Sequence, residues 1–233
     1  MVVFFMGLKH IVFDCDGVLW DGTNEGYFRC YHSAALEAGI NLDFEVARER
    51  ILKNWGQSAQ LEIQGMLPDH PDLVPEVVRI YRRLVRSDLF LNAASLIPGV
   101  EPTLRELARN YGLSAISGMN ADNLEKLFAR FQLRPLFQHV LSAAETNDPL
   151  KQKCTGYHLG QLLQSEQLAP DEVVCVGDAL PDVQMARRQQ VPIVVVLTGH
   201  LTEAEARNLS VREIFPSVAS LPQWLAASAT IAR

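Results

Sequence analysis

The spacing of apolar positions changes character along the chain. Residues 8–13 form an apolar run, interrupted by Lys9 and His10, that ends abruptly in Asp14-Cys15-Asp16-Gly17. A β-rich run closing on two acids one residue apart predicts a buried strand with both acids at its carboxyl end. From Thr23 the period becomes helical. Thr23 or Asn24 can cap a helix running to about Ala38, with Gly39 as its stop, and further helices are predicted over 43–54, 58–66 and 75–87. No convincing strand pattern occurs between Gly22 and Leu96. After Pro98-Gly99 the pattern alternates: helix 101–110, strand 113–116, helix 121–131 capped by Asn120, strand 140–141, helix 154–165, strand 173–176, helix 181–189 and strand 193–197. The stretch from Thr202 to the end is weakly patterned, with one helix expected over 202–208.

Strand and helix in alternation imply parallel strands joined by right-handed crossovers, an α/β core. A purely helical block inside such a chain reads as an insertion. The expected organisation is therefore a core built from 1–21 and 96–233, with a helical subdomain over 22–95. At 233 residues the chain is long enough to bury a sizeable core.

Three further motifs follow apolar runs at the ends of predicted strands or in a nearby loop: Ser117-Gly118-Met119-Asn120, Lys151, and Gly177-Asp178-Ala179-Leu180-Pro181-Asp182. With Asp14-Cys15-Asp16-Gly17-Val18-Leu19 they stand in the order of the four motifs of the haloacid dehalogenase superfamily, which this chain resembles, in its phosphoglycolate phosphatase and β-phosphoglucomutase-like branch. The resemblance implies a Rossmann-like three-layer core with a parallel sheet, and it makes the helical insertion a cap.

The resemblance also implies roles. Asp14 is the expected nucleophile, forming an aspartyl-phosphate. Asp16 is the expected general acid and base, and its backbone carbonyl a magnesium ligand. Asp14 and Asp178 supply carboxylates for Mg2+, since the ion prefers hard oxygen ligands, and Asp182, one helical turn beyond Asp178, either reaches the metal, directly or through a water, or holds Lys151. Ser117 and the Gly118 amide are expected to hold the phosphoryl group, Asn120 to contribute to substrate binding, and Lys151 to offset the phosphoryl charge, with Lys153 as the alternative because the usual Lys-Pro is here Lys151-Gln152-Lys153-Cys154. Cys15, between the acids, is expected to face away from them as packing. Trp55, between two cap helices, is the candidate substrate contact, with plain packing as its other reading.

Asp16 separates the branches. Dehalogenases and phosphonate-cleaving members lack an acid there, so a phosphomonoester is the expected substrate. Phosphonate cleavage also needs a cap lysine, and Lys53 is the sole lysine between Gly22 and Leu96. Sugar-phosphate mutases carry a cap histidine where this chain has Gly26, which favours hydrolysis over transfer; a non-catalytic binding protein is the remaining alternative.

Composition adds exclusions. A formal charge of −6 disfavours a nucleic-acid surface, and the basic stripe Arg79, Arg82, Arg83 and Arg86 at helical spacing reads as a solvated face, with a subunit contact as its other reading. No stretch approaches the roughly 20 apolar residues of a membrane span. Four cysteines without a Cys-x-x-Cys pair, and an amino terminus without a basic leader, lead to the expectation of reduced thiols and a cytoplasmic protein.

Overall fold

The computed structural model describes residues 7–54, 58–144 and 151–231. Contacts divide the chain into two compact units, Met1–Asp21 with Leu96–Arg233, and Gly22–Ser95.

The larger unit is a six-stranded sheet in the order β5-β4-β1-β6-β7-β8, formed by His139–Ser142, Gly112–Ser117, His10–Phe13, Val173–Gly177, Ile193–Val196 and Glu213–Phe215. Every pairing in it is parallel. Two short strands, β2 (Trp20–Asp21) and β3 (Ser95–Leu96), pair separately. From β1 the chain builds outward through β4 to β5, then returns to β1's other side and builds through β6 and β7 to β8. That reversal puts the sheet's switch point beside β1, where open α/β sheets hold ligands at the strands' carboxyl ends.

Alternate side chains of β1 serve the two faces, as strand geometry requires. Val12 joins a buried cluster with Ile116, Cys175, Leu159 and Leu162 of α8 (Tyr157–Ser165), and Met185 of α9 (Leu180–Arg188). Phe13 packs edge-on against Phe137, which meets Phe128 of α7 (Ala121–Arg130). Helices thus cover both faces, giving three layers. α6 (Val100–Leu107) packs against α11 (Leu221–Ile231), and α10 (Glu203–Asn208) places Ala206 in a cluster with Val183 and Val195.

The smaller unit holds α1 (Thr23–Glu37), α2 (Phe44–Leu52), α3 (Ala59–Met66), α4 (Val74–Leu84) and α5 (Asp88–Leu91). Its interior includes Phe28, Ile51, Ile63, Ile80 and Phe90, with Tyr31 stacked on Tyr81 at 4.0 Å and donating its hydroxyl to the buried Glu62. Burial first, then these neighbours, push the Tyr31 phenol far up. On α4, Arg79 pairs with Glu76, and Arg83 with Glu37 of α1, all at exposed positions.

Three departures from the sequence reading concern boundaries and short elements. Helix α8 starts at Tyr157 rather than residue 154, because Lys153–Thr155 is a 3-10 turn and Gly156 takes a left-handed conformation, φ 76°. Strand β8 and helix α11 were not expected: three residues are too few to display alternation, and α11 is apolar and alanine-rich without a clear polar face. All four cysteines are free thiols, and no helix among the described residues is long and apolar enough to cross a membrane.

His10 gives the core a titration. Its Nε2 lies 2.8 Å from Ser114 Oγ, and burial above all pulls its pKa from 6.5 to about 4, Glu166 pulling upward and His139 downward. A depressed histidine pKa means that the unfolded chain takes the proton first. Stability is therefore expected to fall as pH drops from about 6.5 to about 4, by up to about 3 kcal/mol at 1.36 kcal/mol per unit. Denaturant melts of wild type and His10→Gln at both pH values check this: the wild type's advantage shrinks on acidification, and an unchanged gap refutes the assignment.

Candidate active site

Asp14 extends β1 by one residue, its amide donating to the Val176 carbonyl at 2.8 Å. Beyond it the chain turns tightly: the Cys15 carbonyl accepts from the amides of Val18, Leu19 and Trp20, and Gly17 sits at φ 72°. Asp178 immediately follows β6. Asp182, on the first turn of α9, reaches back so that one oxygen accepts from the amides of Asp178 at 3.2 Å and Ala179 at 3.0 Å. That is half of a capping box, with the carboxylate at the positive end of a helix.

The cation in this group is Lys153. Its Nζ lies 2.5 Å from Asp14 Oδ1 and 2.6 Å from Asp182 Oδ1, almost wholly shielded from solvent. This corrects the preference for Lys151, whose Nζ stands 5.8 Å over the Tyr157 ring. The physical reason is the 3-10 turn: by delaying α8 until after Gly156, it leaves Lys153 at the turn's start, after an extended Gln152. Burial alone would lower the Lys153 pKa, but Asp14 and Asp182 outweigh it and hold the amine charged. Burial raises the Asp14 pKa well above the carboxylate range; Lys153 opposes this, while Asp182, Asp178 and Asp16 add to it. Asp178 rises to about 6, through burial and then Asp182, against the amide of His200.

Asp14, Asp178 and Asp182 each offer a carboxylate oxygen, all within 4.8 Å of one another. Three clustered, buried carboxylates suit a hard divalent cation. Asp178 supports that fit most directly, since its Oδ1 is buried without a hydrogen-bond partner. Such an atom is costly unless something coordinates it. Asp182 is placed differently, both its oxygens being engaged by the helix start and by the Lys153 ion pair.

Other expected residues lie as follows. Asp16 is half-buried, and its Oδ1 accepts from the Trp20 indole at 3.0 Å. Ser117 ends β4 and is fully buried, its hydroxyl accepting from the Met119 amide at 3.1 Å and bonding the Cys15 thiol. Gly118, the next residue, is exposed, with open space where a Cβ would stand. Asn120 caps α7, its Oδ1 accepting from the Asn123 amide. Cys15 is buried as expected, yet its thiol meets Ser117, and burial pushes it up. Trp55 lies outside the described residues.

Sequence reasoning missed two contributors. Trp20 is wholly buried against Phe128 and Phe131 and donates its indole N–H to Asp16. His200 gives its amide to Asp178 Oδ2 at 2.8 Å. The spacing of Trp20 four residues after Asp16 was a usable signal; His200 had none, being bonded through its backbone.

Residues 8–189 match the family model described as haloacid dehalogenase-like hydrolase. A phosphoglycolate phosphatase of Synechococcus elongatus is 27% identical over 223 residues, covering 94% of this chain and 92% of that one. Among solved structures, a haloacid dehalogenase-like family hydrolase of Streptococcus pneumoniae has a TM-score of 0.74 at 20% identity, covering 94% of this chain and 98% of that one. A predicted phosphoglycolate phosphatase of Haemophilus somnus has 0.75 at 18% with the same coverage. These structures share the fold.

Proposed function

Because the chain belongs to the haloacid dehalogenase-like hydrolases, we propose that it is a magnesium-dependent phosphatase that hydrolyses a small phosphomonoester through an aspartyl-phosphate. The observation that carries this reading is Lys153 Nζ between Asp14 and Asp182 at the carboxyl end of β1, beside the unpartnered oxygen of Asp178.

Asp14 attacks phosphorus. A carboxylate approaching a phosphate dianion needs positive charge nearby, and the Lys153 ammonium supplies it from a fixed position. Asp182 holds that ammonium in place. Asp16, steadied by Trp20, gives its proton to the leaving oxygen; afterwards it takes one from the water that cleaves the acyl phosphate. The Gly118 amide is offered to the phosphoryl oxygens. Asp14, Asp178 and the Asp16 carbonyl would hold Mg2+, which when bound neutralises charge on the transferring group.

Hydrolysis is favoured over transfer between sugars at Gly26: a Cβ built there would stand 2.9 Å from the Phe90 carbonyl oxygen, leaving no room for a histidine. Lys53 is exposed at the end of α2, unlike a desolvated Schiff-base amine. Residues 22–95 are read as the cap. The curated relative makes phosphoglycolate the first substrate to try.

Phosphate release is to be measured with Mg2+ and with a chelator over phosphoglycolate, hexose phosphates, nucleoside monophosphates and phosphonoacetaldehyde. Metal-dependent release from a phosphomonoester is expected. Folded protein that binds Mg2+ yet turns over nothing would replace the enzyme reading with a binding role.

A further inference from the structure

We propose that the loop 198–201 is a positioning element that fixes the Asp178 carboxylate so that a single oxygen, Oδ1, faces a divalent cation. This rests on the magnesium-site reading above.

Two amides of this loop hold Asp178. Its backbone carbonyl accepts from the Leu201 amide at 2.8 Å, and its Oδ2 from the His200 amide at 2.8 Å. Between them the backbone crosses the carboxylate at Gly199, where an added Cβ would stand 1.8 Å from Oδ2 and 2.3 Å from Cγ. No side chain can occupy that position without displacing the carboxylate. Gly17 adjoins both groups, since its own Cβ would come within 2.6 Å of the same Oδ2 and 2.9 Å of the Gly199 Cα.

Thr198 closes the arrangement. Its hydroxyl donates to the Gly17 carbonyl at 2.5 Å, joining the loop after β7 to the turn after β1 across 181 residues of sequence. Oδ2 is thus approached closely by two glycines and accepts from an amide, while Oδ1 is buried with no hydrogen-bond partner. A carboxylate restrained in one orientation loses little freedom on binding a cation, the usual contribution of groups behind metal ligands.

Thr198, Gly199 and His200 act through Asp178, so the direct readout is affinity for Mg2+, measured calorimetrically on the whole chain, with melts to verify folding. Gly199→Ala and Thr198→Val are each expected to weaken Mg2+ binding by about 10-fold or more, the scale of lost outer-shell support, while Thr198→Ser restores it. KM for substrate at saturating Mg2+ is expected to stay unchanged, which general loosening would not produce. If Gly199→Ala does not fold, the Thr198→Val and Thr198→Ser pair decides. Wild-type affinity in Thr198→Val overturns the inference. Wild-type protein that binds no Mg2+ overturns instead the site reading beneath it, and the inference with it.

Discussion

Asp14→Asn is expected to abolish phosphate release, lowering turnover by about 10⁴-fold or more, as loss of a nucleophile from a set of residues acting as a unit does. The substitution preserves shape and removes charge. Asp14 is a buried carboxylate crowded by Asp178 and Asp182, so neutralising it relieves repulsion. Lys153 keeps Asp182 at 2.6 Å and is not orphaned. The variant should therefore melt close to the wild type, and activity and stability separate. Steady-state phosphate assays beside circular-dichroism melts test both halves; a folded variant retaining wild-type turnover sinks the nucleophile assignment.

Lys153→Met should damage both. It removes the cation shared by Asp14 and Asp182 and leaves buried acids uncompensated, a loss on the order of 3–5 kcal/mol. Turnover should fall by about 10²–10³-fold, the range for loss of one fixed stabilising group. Lys151→Met, two residues away over the Tyr157 ring, should change stability by about 0.5 kcal/mol or less and leave turnover near wild type. The reverse ranking would restore Lys151 as the motif lysine.

Those two lysines show where the sequence ceased to be legible. Asp14, Asp16 and Asp178 were readable because they close apolar runs, and runs of that kind become central strands whose ends share one edge of the sheet. Choosing between Lys151 and Lys153 needed the start of α8, which depends on Gly156 adopting a left-handed conformation; a helical pattern can be read without seeing that its first turn is 3-10. Ser117 was recognisable as a residue at a strand end, but its hydroxyl's inward turn toward Met119 is a matter of local hydrogen bonding. The hold on Asp178 was invisible for another reason: a backbone amide carries no residue signature, and the Thr198 contact to Gly17 spans most of the chain.

The sheet order has a consequence for synthesis. β1 is translated first and ends up in the middle, yet its first residue pairs with Gly112 on one side and Val173 on the other. At ribosomal rates of roughly 5–20 residues per second, a strand destined for complete burial waits on the order of 5–20 s for its first neighbour. Until then it is an unpaired apolar edge, the kind of segment that recruits other chains. During that interval the intervening helical unit emerges with its own apolar interior, built from contacts that are local in sequence and quick to form. The nascent chain should thus hold a formed helical unit beside an unsatisfied β1. Aggregation during expression should track the time taken to translate 22–111, and slowing that stretch with rare codons should lower the soluble yield.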